Sequence, residues 1–464
     1  MKELFKQQRA AFRQNPMPSA SQRIAKLKLL KKTLLLYKDP LVDALSKDFG
    51  HRARFETLVG ELLPTVLGIN YTVKRVKKWM KPSRRSVNVL FQPASNWVMY
   101  QPLGVVGIVV PWNYPVFLAF GPLISALASG NRALIKLSEF TPNTNEIIKR
   151  LLSYVFQEDE VAIVTGGPEV GARFSALPFN HLIFTGSTQV GRHVMQAAAE
   201  NLTPVTLELG GKSPAIIDEQ VKISLAVERL IAGKTSNAGQ ACVAPDYVLI
   251  PNRRIEEFVS EFKRQFKQMY PSLKENTDYT SIINERQRNR LVSYIEEIKQ
   301  SGTTLIELNP ANESFGDDTC KLPLYLVINP DPDCRLMQEE IFGPILPIIG
   351  FQAIDEAIDF VNARPQPLAL YIISFDKSLQ KRILETTHSG SVAINDSVFQ
   401  VLQDDIPFGG IGPSGIGHYH GKEGFLALSK AKSIFKKGSF NLTKLIFPPF
   451  NKAFHKLIIA TFLR

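Results

Sequence analysis

From Gly104 onward, short runs of purely apolar residues alternate with longer amphipathic ones, and this alternation leaves few folds open. "GVVGIVVP" (104–111) carries no polar side chain, as a strand does when both faces of its sheet are covered. A helical pattern over 116–129 follows, then the strand "RALIKLS" (132–138) and a helix over 142–156. The strands "VAIVTG" (161–166) and "HLIFTG" (181–186), a helix over 188–200 and the strand "VTLELGG" (205–211) complete the series. Strands alternating with helices at this spacing predict an α/β fold with a doubly wound, Rossmann-like parallel sheet. Ligands in such sheets sit outside the carboxyl ends of the strands. "PWN", "KLSE" and "TGST" fall there.

A second alternating set runs from about 215 to 395, with "SPAIID", "CVAPDYVLIP", a charged helix over 253–268, "LYLVINP" and "LALYIISFD". With 464 residues and 44% hydrophobic residues, the chain is long enough for two sizeable domains. Residues 1–80 read as helical, with Ser21 as a cap, an interruption at Pro64 and an end at Pro82. "SVNVLFQPASNWVMYQPLG" (86–104) reads as a hairpin of two alternating runs around a "PASN" turn. An isolated ribbon is marginal in water, so it is expected to lean on another element or subunit.

The three cysteines, Cys242, Cys320 and Cys334, are too few and odd in number for a disulfide framework, and they make no zinc motif. No metal site is expected. The N-terminus lacks a secretory apolar region, and no run is long enough to span a membrane. A cytoplasmic location follows as an expectation. The net charge of +12 reads as a basic solvated surface, because no nucleic-acid motif accompanies it.

Several short stretches carry candidate chemistry, each with a plainer reading beside it. In "FTGSTQVG" (184–191), Gly186, Ser187 and Gly191 surround a helix start whose N–H groups suit a pyrophosphate; a capped turn is the plainer reading. Lys136 and Glu139 close a strand where they can meet ribose hydroxyls or a phosphate, or simply form a solvated pair. In "PWNYP" (111–115), two prolines hold Trp112 and Asn113 after a buried strand; the amide is a candidate oxyanion donor or a turn-former. Glu208 in "LELGGKSP" (207–214) sits in an apolar strand, where a carboxylate has a raised pKa suited to a general base, unless an unseen Lys or Arg pairs with it. "QEEIFGPILP" (338–347) sets Glu340 and Phe342 beside a Gly-Pro turn, and "PFGGIGPSGIG" (407–417) reads as close backbone approach or a mobile loop. Cys242 has apolar neighbours, as an inert cysteine would, yet Asn237 and Gln240 fit poorly with a plain core.

Taken together and in this order, "PWNYP", "KLSE", "FTGSTQVG", "LELGGKSP", "GQACVAPDYVL", "QEEIFGP" and "PFGGIGPSGIG" resemble the aldehyde dehydrogenase superfamily over roughly residues 10–435. "APDYVL" and the short N-terminus resemble its fatty and aromatic aldehyde class, with similarity to bacterial coniferyl aldehyde dehydrogenases. The resemblance implies NAD, or NADP, as cofactor. It implies Cys242 as nucleophile, Glu208 as general base and Asn113 as oxyanion donor. Trp112 is expected to line the cofactor site. Lys136 and Glu139 would contact the adenosine ribose, Gly186, Ser187 and Gly191 the pyrophosphate, and Glu340 the nicotinamide ribose, with Phe342 near that ring. Leu137 stands where the family often has proline.

The expected organisation is a cofactor-binding domain from residues 1–80 and 101–209, an oligomerisation hairpin at 81–100 and a catalytic α/β domain at 210–395. Residues 396–440 return to the cofactor and oligomerisation region, and 441–464 form a basic amphipathic tail. The expected partners are a small aldehyde and a second copy in a homodimer, with no nucleic acid. An acylating dehydrogenase that passes its thioester to coenzyme A, such as a semialdehyde dehydrogenase, is the rival enzyme; Glu208 argues for water instead. A non-catalytic binding protein is the rival from another class, and Cys242, Glu208 and Asn113 argue against it. No Asp or Glu follows Glu423, and "FNKAFHKLIIATFLR" (450–464) puts apolar residues on one helical face. That face would dock in a protein groove or lie as a peripheral contact on an anionic membrane.

Overall fold

The computed structural model describes residues 1–316 and 319–463; Arg464 of the expected tail, and Asp317 and Asp318 of the 210–395 unit, lie outside the described residues. The N-terminal region is helical over Lys2–Gln14, Ala20–Leu36, Lys38–Asp48 and Leu63–Trp79. Ser19 caps the second helix, not Ser21. Its side chain accepts from the Gln22 N–H, and the Gln22 side chain accepts from the Ser19 N–H at 2.8 Å. This reciprocal box needs Glu or Gln three residues on, and Ser21 has Ile24 there. At Pro64 the helix distorts without ending: the run is continuous from Arg54, and a π-helical turn, Leu58–Leu62, replaces the α pattern just before the proline and leads into Leu63–Trp79.

The expected hairpin forms with different strands. β1 (Ser83–Arg85) pairs antiparallel with β2 (Ala94–Pro102), Ser83 opposite Val98. "VNVLF" is not a strand: the Asn88 side chain accepts from the Leu90 N–H at 3.1 Å and caps a 3-10 turn, Val89–Phe91. A local side-chain bond has outcompeted the ladder that the alternation implied.

β3 (Val105–Val109), β4 (Arg132–Lys136), β5 (Val161–Val164), β6 (His181–Gly186) and β7 (Val205–Leu209) form a parallel sheet in the order β7-β6-β3-β4-β5. The switch between β3 and its two neighbours is where a doubly wound sheet opens a crevice. Val109 lies opposite both Lys136 and Phe184, and Thr185 opposite Glu208. Register alone therefore brings the "PWNYP" turn, Lys136, Gly186 and Glu208 to one edge. Helix Pro115–Ser129 covers one face; its side chains, with Leu27, Leu30, Leu34 and Ile69 from the N-terminal helices, make one continuous core.

The second sheet contains β8 (Pro214–Ile217), β9 (Tyr247–Pro251), β10 (Leu305–Leu308), β11 (Leu324–Ile328), β12 (Ile345–Phe351), β13 (Ala369–Ile373) and β14 (Ser391–Ile394) in the order β10-β11-β12-β9-β8-β13-β14. All neighbours are parallel except β10 with β11. Phe258, Phe262 and Phe266 of helix Ile255–Met269 fill the core under it. The chain then returns. β15 (Gly415–Ile416) pairs with β7, Gly415 opposite Glu208, and β16 (Ser429–Lys437) pairs along the whole of β2. A last helix, Ala453–Phe462, buries none of its residues. Among the described residues, no helix is long and apolar enough to cross a membrane.

Candidate active site

Two cavities meet between the sheets, and Asn113 and Cys242 line both. Asn113 comes from the turn after β3 and is 3% exposed. Its Nδ2 donates to the Gln240 carbonyl at 3.2 Å. Its own carbonyl accepts from Arg52 Nη1 at 2.9 Å and Asn237 Nδ2 at 3.2 Å. The turn is thus tied to the loop that carries the cysteine.

That loop enters β9 from the amino end. Asn237, Ala238 and Gly239 run in the left-handed region with φ of 50°, 52° and 74°. A Cβ on Gly239 would lie 2.5 Å from the Gly343 carbonyl oxygen, so only glycine fits there. Gln240 is fully buried. It donates to the carbonyls of Asn237 at 2.9 Å and Ser281 at 3.0 Å, and accepts from the Ile283 N–H at 3.0 Å. The two polar residues that suit a core poorly are therefore the struts of the loop. Burial pushes the Cys242 thiol up to about 12, with Glu340 and Glu208 adding to the rise and the N–H groups of Cys242 and Val243 opposing it.

Glu208 is the third element. It is 4% exposed, and among the described residues neither carboxylate oxygen has a hydrogen-bond partner. The expected alternative, a Glu held by Lys or Arg, is not what this side chain does. Burial alone raises its carboxyl well above the ordinary value of 4.5. The glycine-rich segment packs on it closely: a Cβ on Gly409 would lie 3.2 Å from Glu208 Oε1.

The first cavity, about 330 Å³, is lined by Trp112, Gly186, Ser187, Glu208, Glu340 and Phe342 among others. Ser187 caps helix Thr188–Ala199 by accepting from the Val190 N–H at 3.4 Å. A Cβ on Gly191 would meet the Leu209 side chain at 2.6 Å, so this glycine lets the helix sit close on β7. Gly210 lets Glu340 approach, since a Cβ there would fall 1.9 Å from Glu340 Oε2. The Glu340 carboxyl is pushed up to about 8, chiefly by burial and then by Asp246. Phe342 holds φ 48°, and its ring meets Trp112 edge-on at 5.3 Å between centroids. Lys136 and Glu139 line neither cavity. They sit at the end of β4 and pair with each other at 2.7 Å, with Lys136 buried rather than solvated. Leu137 donates its N–H to the Val164 carbonyl at 3.1 Å, a bond that proline at this position lacks. The residues of this cleft fit part of a dinucleotide, with the Glu340 carboxylate at one side and the helix N–H groups after Ser187 at another; Lys136 and Glu139 lie outside it, at the end of β4.

The second cavity, about 230 Å³, is an apolar tunnel lined by Phe55, Val59, Tyr114, Phe117, Val398 and Leu402, and it ends on Cys242 and Asn113. A cysteine thiol, a side-chain amide and an unpartnered carboxylate thus meet where the apolar cavity joins the cleft lined by Ser187 and Glu340. Such an arrangement suits addition of a thiol to a carbonyl group, followed by attack of water.

Other residues that build the site are absent from the sequence reading. Arg290 Nη2 donates to the Ile341 carbonyl at 2.8 Å, and the Ile341 N–H donates to Asp246 Oδ1 at 2.9 Å. Lys212 pairs with Asp246 and donates to the carbonyls of Leu336 and Glu339, both at 2.8 Å. These groups brace Glu340 and Phe342. They come from separate segments, so no local pattern marks them. Tyr114 lies inside a quoted motif and was open to notice. Among the described residues, no group of three or more His, Cys, Asp or Glu side chains is placed to hold a metal ion.

The aldehyde dehydrogenase family model matches residues 1–434. The chain is 54% identical over its full length to a probable coniferyl aldehyde dehydrogenase of Pseudomonas aeruginosa, covering 96% of that protein. It superposes on the substrate-bound state of Staphylococcus aureus AldH with a TM-score of 0.94 at 36% identity, covering 99% of each chain. A Mycobacterium tuberculosis aldehyde dehydrogenase complexed with NAD+ matches with a TM-score of 0.84 at 29% identity, over 94% of this chain and 90% of that one.

Proposed function

Since the chain belongs to the aldehyde dehydrogenase family, we propose that it oxidises an aromatic aldehyde of the coniferyl type to the acid, with Cys242 as a covalent nucleophile. It is an oxidoreductase acting on aldehydes, and NAD(P)-dependent oxidation is its general reaction. The observation that carries the finer reading is the meeting of Cys242, Asn113 and the unpartnered Glu208 at the junction of tunnel and cleft.

In this reading the aldehyde enters the apolar tunnel and the Cys242 thiolate adds to its carbon. Asn113 Nδ2 and the Cys242 N–H stabilise the resulting oxyanion. Covalent addition is needed because an aldehyde is a poor hydride donor until it is tetrahedral. A nicotinamide held beside Trp112, Glu340 and Phe342 would supply the two-electron oxidation by accepting hydride. Glu208 then takes a proton from water, which hydrolyses the thioester. Ser187 and the first turn of Thr188–Ala199 would hold the pyrophosphate, with Gly186 and Gly191 allowing close approach. Trp112, Glu340 and Phe342 would hold the nicotinamide end, and Lys136 and Glu139 the adenosine ribose. Glu139 favours NAD, because a carboxylate repels a 2′-phosphate.

The test is reduction of NAD and of NADP by a panel of aromatic and long-chain aldehydes, with and without coenzyme A. The reading expects free acid, preference for NAD and no need for coenzyme A. Dependence of turnover on coenzyme A would replace hydrolysis with acyl transfer. Preference for aliphatic over aromatic aldehydes would remove the coniferyl assignment. The β2–β16 ribbon, with Phe435 exposed on it, supports a homodimer in the same reading.

A further inference from the structure

Behind the Asn113 turn lies an ion pair that the reaction as described does not use. Arg52 and Glu61 are both fully buried, with Nη1 and Oε1 3.0 Å apart. The same Arg52 Nη1 donates to the Asn113 carbonyl at 2.9 Å. Glu61 Oε2 accepts from the N–H groups of Val116 at 2.7 Å and Phe117 at 2.9 Å, at the start of the helix that follows the turn. The guanidinium is also sandwiched between the rings of Phe49 and Tyr114, at 4.9 and 4.8 Å from their centroids. The pair thus holds the Asn113–Phe117 segment at two points, the Asn113 carbonyl and the N–H groups of Val116 and Phe117.

Stability is a poor reason for this arrangement. Burying two charges carries a large desolvation cost, and apolar residues of similar volume often serve packing as well or better. Among the described residues, Arg52 Nε and Nη2 have no hydrogen-bond partner, which adds to the cost. Glu61 also sits on the π-helical turn Leu58–Leu62, a distortion that redirects its side chain from the regular helical track. What the pair does is fix a backbone position. An amide donor must meet an oxyanion to within a fraction of an ångström, and its aim is set by the backbone that carries it.

We infer that Arg52 and Glu61 are positioning residues that hold the Asn113 amide in register with the oxyanion formed at Cys242. This rests on the reading of Asn113 as oxyanion donor. A double-mutant cycle separates the two ideas. The measurement is the rate of the first burst of reduced NAD in rapid mixing, using the aldehyde that wild type turns over fastest. The variants are Asn113→Ala, Arg52→Lys and the two combined. Asn113→Ala removes the amide but keeps the carbonyl that Arg52 grips. Lysine keeps the charge opposite Glu61 but lacks the planar fork.

Asn113→Ala is expected to slow the burst about 10²-fold or more, as loss of an oxyanion donor does. Arg52→Lys is expected to slow it by a comparable factor, with the NAD dissociation constant unchanged. In the Asn113→Ala background, Arg52→Lys should slow it by less than about 3-fold, because no amide remains to be aimed. Equal losses in both backgrounds, or no loss from Arg52→Lys, would overturn the clamp while leaving Asn113 as donor. A wild-type burst in Asn113→Ala would overturn the oxyanion reading and the clamp with it. If Arg52→Lys does not fold, Glu61→Gln in the same cycle decides the matter by the same criterion.

Discussion

Burial pushes the Cys242 thiol up to about 12, so in the proposed covalent reading its proton must leave before the sulfur adds to the aldehyde. Among the described residues, Glu208 lines the same cavity with both oxygens free of partners, which suits the role proposed for it toward water after the thioester has formed. Cys242→Ser should abolish oxidation while NAD binding, followed by fluorescence titration, survives; near-wild-type turnover would end the covalent reading. Glu208→Gln should keep a burst of one reduced cofactor per site but stall afterwards, because hydrolysis of the thioester loses its base. Loss of the burst as well would assign Glu208 to acylation instead. The same variant carries a stability signature. The folded-state pKa of Glu208 is raised, so its favourable contribution is complete below about 4.5 and is lost as pH rises toward the folded value. Glu208→Gln should therefore melt higher than wild type at pH 8, with the gain fading as pH falls to 4.5. A gain that does not change with pH would mean that the carboxyl is not titrating in this setting.

Among the elements, those with strong local signals were legible and those settled by competition were not. β3 to β7 could be read because strands covered on both faces are mostly apolar, β3 wholly so. "VNVLF" alternates as well as any strand, yet Asn88 turns it into a 3-10 turn that ends with Val89 and Phe91 exposed. The pairing partner of β2 could not be foreseen, because β16 lies more than three hundred residues further along the chain. Deleting residues 86–100 would therefore remove most of β2 and unpair β16. A point change is the cleaner test of the oligomer. Phe435→Glu, on the exposed face of β16, should halve the mass seen by light scattering; an unchanged mass would remove the ribbon from the interface. At the other end, Ser19→Ala should lower stability by about 1 kcal/mol through loss of the capping box, read as a lower urea midpoint.

For the whole molecule, the site lies where the carboxyl edge of one sheet faces the amino ends of β9 and β12. Each edge alone holds half of the proposed chemistry: Asn113 and Glu208 on one side, Cys242, Glu340 and Phe342 on the other. The tail stands apart from this. Helix Ala453–Phe462 packs against Leu442–Ile446, which in turn meets the Val89–Phe91 turn, and leaves Leu457, Ile459 and Phe462 exposed. A chain ending at Ser439 should therefore keep the activity of each subunit. If the tail lies on an anionic membrane, the intact protein will sediment with phosphatidylglycerol vesicles at low salt and the shortened one will not. If the intact protein ignores vesicles and the shortened one loses dimer mass, the tail is a contact between subunits.

The sequence by itself determined the α/β class and the strands of the first sheet, and it offered Cys242, Glu208 and Asn113 as candidates whose roles rest on the family resemblance. It could do so because apolar runs, turn glycines and a carboxylate in an apolar strand each act within a few residues of themselves. Tertiary structure alone decided that Asn237 and Gln240 are struts, that Asp246, Lys212 and Arg290 brace Glu340, and that Arg52 and Glu61 grip the Asn113 turn. Each of these contacts joins segments far apart in the chain, and a buried polar group reveals its purpose only when its partner is in place.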